Sequence, residues 1–343
     1  MFFKIVLAFL CLVPQVWALS ESLPEKPKKR LIISTDIGGS DPDDIQAMIW
    51  YLFHSHLFDL EHIIISRPGG RKSMMNRVLR AYRRDYPKLA FSADYPTPGE
   101  IKRMIRVGAE RNKKAPPRGY ERPTRGSRAI VRSLLKDDPR PLHFACWGAT
   151  TDIAQALHDI GRKNRNRIFR ERKLNIFCGD SGFNNNKDPY PTEYLKKFKK
   201  LRWVGGYGTG RGIYWGGLWS KKKYGNIGFV NKVLAPSGAM GRLFKRISKD
   251  IDVNRGGIKM GDIITILFIW KNSFEKPWKQ NWGGRFCKTG PNRFTPCPGD
   301  ELGGRPGGAS VAPFRIRILK AFERQIKRLD VELPAPTPVP APV

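Results

Sequence analysis

Ser34-Thr35-Asp36-Ile37-Gly38-Gly39-Ser40-Asp41-Pro42-Asp43-Asp44 decides how this chain is read. An apolar run, Leu31-Ile32-Ile33, precedes it and has the composition of a buried strand. Ile45 to Phe53 follows, with apolar spacing that suits a helix. The connection is strand, loop, helix, and it carries four carboxylates. Gly38 and Gly39 let the backbone turn tightly and come close to a ligand. Asp41 suits the helix cap and Pro42 the first helical position. Asp43 and Asp44 then fall in the first turn, where the helix dipole favours negative charge.

Carboxylates this close repel one another unless something positive lies between them. A hard cation with oxygen ligands, Ca²⁺ or Mg²⁺, is the natural candidate. A solvated, well-capped helix start is the other reading of the same residues. In open α/β sheets, ligands gather at the carboxyl ends of strands, where this loop lies.

The loop resembles the calcium-binding loop of nucleoside hydrolases, D-x-D-P-G-x-D-D. It is closer to T-D-I-G-G-D-P-D-D of the nucleoside hydrolase-like family whose members are often labelled cellulose-binding proteins. Ser40 is one residue more than that closer pattern has, and Ser34 stands where true nucleoside hydrolases have their first Asp. Gly148-Ala149-Thr150-Thr151-Asp152 resembles the G-P-L-T-N turn of nucleoside hydrolases, with Thr151 at the Thr position. On its own this is a strand–turn–helix with Asp152 as cap. Trp147 to Leu157, Gly261-Asp262 and Trp282-Gly283-Gly284-Arg285-Phe286 resemble further segments of the closer family. Asp262 in isolation reads as a helix cap.

The resemblance implies a single α/β domain over residues 30–330, with a mostly parallel, Rossmann-like sheet of the nucleoside hydrolase type. It implies Ca²⁺ held by Asp36, Asp44, Asp262 and the main-chain carbonyl of Thr151, with Asp36 as general base and Asp43 on sugar hydroxyls. Nucleoside hydrolases also hold ribose with Asn and Glu in the region of Gly179 to Asp188. Asn184, Asn185 and Asn186 are the candidates here, and a plain Asn/Gly turn is the alternative. Gly261 stands where purine- and uridine-processing relatives often have a His, so one donor to the leaving group is missing. The glycine- and aromatic-rich run from Gly205 through Tyr214, Trp215 and Trp219 suits sugar stacking or a lid.

Two activities compete on this reading. One is hydrolysis of an N-ribosyl or related glycosyl bond in a nucleoside or other small glycoside. The other is non-catalytic binding of a polysaccharide through a retained metal site. A third function follows from composition. The 63 Lys and Arg against 30 Asp and Glu give a net charge of +33, which attracts polyanions without sequence-specific reading. Residues 1–18 read as a secretory signal, with Lys4, an apolar centre and Val16-Trp17-Ala18, and place the chain outside the cytoplasm, secreted or periplasmic. Residues 19–29 read as a linker and 331–343 as a Pro-rich tail, and no segment of the mature chain is apolar enough to span a bilayer. In an oxidising compartment Cys287 and Cys297, flanking a Gly/Pro loop, suit a local disulfide, while Cys146 and Cys178 lie in apolar strands as buried thiols. His62, inside a strand pattern, reads as structural.

Overall fold

Leu31 to Ile33 is a strand because it is buried on both faces, as parallel strands between helical layers are. In the computed structural model it forms the middle of β1 (Lys29–Thr35). The structure describes residues 27–39, 42–111, 113–179, 186–248, 257–271 and 274–334. Residues 1–18, where a secretory signal is expected, lie outside them, as do most of residues 19–29 and most of residues 331–343.

The strands after β1 are β2 (Phe58–Ile65), β3 (Ile105–Val107), β4 (Leu142–Cys146), β5 (Leu174–Cys178), β6 (Arg202–Gly205), β7 (Phe286–Gly290) and β8 (Arg293–Pro296). They form one sheet in the order β3-β2-β1-β4-β5-β6-β8-β7. All neighbours are parallel except β7 and β8, which form an antiparallel edge hairpin. The chain winds outward from β1 first through β2 and β3, then crosses to β4 and continues the other way. The gap between β1 and β4 is therefore a topological switch point, where the following loops diverge and leave a crevice.

The longer helices are α1 (Asp43–Phe53), α2 (Lys72–Ser92), α3 (Pro98–Met104), α4 (Arg125–Leu135), α5 (Thr151–Asp159), α6 (Gly161–Arg170) and α7 (Pro189–Lys196). After them come α8 (Gly238–Ile247), α9 (Ile263–Trp270) and α10 (Arg315–Ile326). Alternate strand residues feed two cores. Leu31, Ile33, Ile63 and Phe177 pack with α1, α2, α8, α9 and α10 on one face. Ile32, Ile64, Phe144 and Ile176 pack with α4, α5 and α6 on the other. This is a single α/β domain of three layers, as the sequence implies.

The basic helix α2 continues through Pro87 to Ser92, because burial of Met75, Val78, Tyr82 and Leu89 outweighs the amide lost at proline. α3 begins with a capping box between Thr97 and Glu100 and ends at Met104. Ile105 to Val107 then pairs with Ile63 to Ile65. The loop between Cys287 and Cys297 is the β7–β8 hairpin, and a disulfide closes it. Among the described residues, no helix is long and apolar enough to cross a membrane. His62 sits in β2, and burial followed by the nearby Arg106 charge lowers its pKa, which keeps it neutral as a structural group.

Candidate metal and substrate site

The acidic loop leaves β1 at the switch point. Gly39 N donates to Asp36 O at 2.9 Å, closing a tight turn, and Gly38 has φ +97°, a conformation that favours glycine. Thr35 anchors both ends of the loop. Its hydroxyl accepts from Ile37 N at 3.1 Å and donates to the Asp44 carboxylate. α1 starts one residue later than the sequence suggests, with Pro42 at the cap position and its carbonyl accepting from Gln46 N at 3.0 Å. Asp41 lies outside the described residues. Asp43 Oδ1 accepts from Asp44 N at 2.9 Å, so the two acids are held at the positive end of α1.

Asp262 arrives from the far end of the chain, immediately before α9. Its carbonyl accepts from the Thr265 hydroxyl at 2.8 Å, and that hydroxyl in turn accepts from Trp147 Nε1 at 2.8 Å. This relay ties the start of α9 to the end of β4. The result is that Asp43, Asp44 and Asp262 each present a carboxylate oxygen, all within 4.8 Å of one another. Asp44 and Asp262 are buried and Asp43 is half-buried. Carboxylates at this spacing could hold a cation through hard oxygen donors.

Asp36 is buried at 8 % exposure at the tip of β1 but is not one of these three. The two thiols beneath the site, Cys146 and Cys178, face each other from neighbouring strands in register. Hydrogen bonding with Cys178, then burial, then the charges of Asp36 and Asp262 among others push the Cys146 thiol up, so it stays protonated. The three carboxylates themselves offer hard oxygen donors, the kind that calcium and magnesium take.

Thr151 is the first residue of α5. Its hydroxyl donates to Asp188 Oδ2 at 2.5 Å. Asn186 is exposed, and Asn184 and Asn185 lie outside the described residues.

Tyr214 gains a position that the sequence does not reveal. A side chain at Gly261 would begin 3.4 Å from Tyr214 Cε1, so the phenol ring occupies the space beside the missing His. Burial raises the Tyr214 pKa, the Arg211 and Lys259 charges pull it back, and Asp43 raises it again. The phenol is therefore a proton-bearing donor next to the acidic cluster. Only a glycine with no side chain in the way, next to an aromatic-rich lid, hints at this in the sequence.

A three-layer α/β domain with an acidic cluster at its switch point is the form of a nucleoside hydrolase-like domain. The chain belongs to the family described as "Cellulose-binding Sde182, nucleoside hydrolase-like domain", whose model matches residues 30–286. Solved structures share the fold. A nucleoside hydrolase-related hypothetical protein from Saccharophagus degradans, associated with carbohydrate metabolism, is 23 % identical, with a TM-score of 0.68 over 88 % of this chain and 72 % of that one. The effector protein XOO4466 is 14 % identical, with a TM-score of 0.51 over 90 % of this chain and 95 % of that one. The type III effector XopQ, solved with adenosine diphosphate ribose, is 14 % identical, with a TM-score of 0.50 over 90 % and 94 %. No functionally curated protein matches.

Proposed function

We propose that this protein is an exported, calcium-dependent hydrolase of N-ribosyl or related glycosyl bonds. The observation that carries the reading is the trio Asp43, Asp44 and Asp262, brought together from opposite ends of the domain. These carboxylates would hold the ion, and a bound calcium would supply a water of lowered pKa. Asp36, buried at the strand tip, would act as general base toward the attacking water. Asp43, the most open of the acids, is placed to accept hydrogen bonds from sugar hydroxyls as well. Tyr214 donates to the leaving group in place of a histidine. Anomeric carbon chemistry of this type passes through an oxocarbenium-like state, which an acidic, water-poor crevice stabilises. The disulfide in the edge hairpin and the export signal both fit an oxidising compartment.

The second reading is a glycan-binding protein that keeps the cation to hold sugar diols. The cellulose-binding description of the family and the glycine at 261 favour it. Nitrophenyl riboside separates the two, since its leaving group departs without protonation. Release of nitrophenolate that needs calcium and stops with chelator is expected of the enzyme. Calcium-dependent binding of cello-oligosaccharide with no turnover of any riboside would replace the first reading with the second. If binding instead follows only the surface charge, it falls steeply with salt and ignores the chelator.

A further inference from the structure

One loop away from the acidic trio lies a separate cavity of about 420 Å³. The Ser66–Gly70 segment divides the two. Gly69 packs against Gly39 of the acidic loop, and the Arg67 carbonyl accepts from Ala149 N at 2.9 Å. The Arg67 side chain lines the cavity and is only 6 % exposed. Its Nη1 is ion-paired with Asp188 Oδ2 at 3.2 Å, and its Nε has no hydrogen-bond partner among the described residues. A buried guanidinium with an unused donor is costly unless an acceptor meets it.

The other charges at the cavity are uneven in their availability. Asp152 is saturated by three donors, the Ser66 hydroxyl at 2.5 Å, Ala109 N at 3.0 Å and the Thr124 hydroxyl at 2.7 Å. Glu110 is paired with Lys113 at 2.8 Å and Arg122 at 2.6 Å. Glu121 is exposed at the rim. Arg125, also exposed, opens α4 at the cavity wall, so a side-chain cation and the positive end of an 11-residue helix face the same space. Val107, Ala109, Ala115 and Pro123 supply apolar wall.

We propose that this cavity is a second ligand site, which takes the oxyanion group of a small polyol on Arg67, with Arg125 at the mouth. A guanidinium matches a carboxylate or a phosphate through two parallel N–H donors. The volume is that of a small-ligand pocket and accommodates a monosaccharide. A uronic acid and a sugar phosphate carry this same chemistry.

Calorimetry on the full chain tests the site, with chelator present so that calcium at the acidic trio plays no part. The probes are glucuronate, ribose 5-phosphate and neutral glucose, at matched ionic strength. One charged probe is expected to bind saturably while glucose does not, and the tighter of the two assigns the source. Arg67→Gln should weaken that binding about tenfold or more, the loss of a charge-assisted hydrogen bond. Arg125→Glu, on an exposed residue, should weaken it without touching the fold, and keeps the test alive if Arg67→Gln does not fold. Lys221→Ala, remote from the cavity, should bind like the parent. Saturable binding of neither charged probe overturns the proposal. So does equal binding of glucose, or parental binding by Arg125→Glu or by a folded Arg67→Gln. None of these outcomes bears on calcium-dependent cleavage, so failure here leaves the proposed function standing.

Discussion

Two groups of buried carboxylates stand at the carboxyl end of the same sheet, and the fold treats them in opposite ways. Asp152 is met by neutral donors, and Asp188 by neutral donors and the Arg67 guanidinium. Asp152 receives Ser66, Ala109 N and Thr124, while Asp188 receives Ala115 N at 2.9 Å and the Thr151 hydroxyl, with Arg67 alongside. Asp43, Asp44 and Asp262 are instead turned toward one another within 4.8 Å. A buried charge surrounded by donors holds segments together, and here Asp152 links the ends of β2, β3 and α4 to α5. Asp44 takes the Thr35 hydroxyl and Asp43 takes Asp44 N, but three carboxylates this close still repel one another, which a cation between them would relieve. The first group is mortar, and the second is the proposed site.

The largest expected effect is on chemistry at the second group. Asp36→Asn should lower calcium-dependent release of nitrophenolate from nitrophenyl riboside on the order of 10²–10⁴-fold, because the amide cannot accept the water's proton. Sugar binding should survive. Equal rates in parent and variant would remove Asp36 from the mechanism.

Next in size is a stability contrast between the groups, read by urea unfolding with chelator present. Asp152→Asn should destabilise by about 3 kcal/mol, since it turns an amide donor toward three donors buried with it. Asp262→Asn should leave stability unchanged or raised, because it removes one of three mutually repelling charges. Equal losses in the two variants would erase the distinction between mortar and site.

Smaller again is the effect of Tyr214→Phe. It should lower cleavage of inosine by about tenfold, the worth of one hydrogen bond to a developing charge, and leave nitrophenyl riboside nearly unchanged. The parent itself should cleave nitrophenyl riboside well and inosine and uridine poorly, since a phenol is a weaker acid than a histidinium. A uniform loss on all substrates would make Tyr214 a packing residue.

The acidic loop was legible because its signals are local. An apolar strand, two glycines and a helix start fall within a short stretch, and the structure adds only that Pro42, not the residue before it, caps α1. The alternation that feeds Ile32 to one core and Leu31 and Ile33 to the other is equally local. The Cys287–Cys297 bridge spans ten residues and a hairpin turn, so it too could be read along the chain. What was not legible depends on distant partners. Asp152 reads as a helix cap, but its hydroxyl donors come from Ser66, 86 residues away, and Thr124, 28 residues away. Tyr214 reads as one aromatic among several, and only folding sets it beside Gly261. Thr151 carries the motif, but only folding brings its hydroxyl to Asp188, 37 residues away. Arg67 gave no signal at all, because the cavity it lines is built from the ends of three strands and two helices.

Calcium titration of the parent and of Asp262→Asn, by calorimetry with thermal unfolding alongside, tests the central claim most directly. The parent should bind one calcium ion, and at about a hundred times Kd the ion should add about 2.7 kcal/mol of stability. Asp262→Asn should show neither the heat nor the shift. Calcium binding by Asp262→Asn with the parent's affinity, or no calcium binding by the parent, would contradict the account.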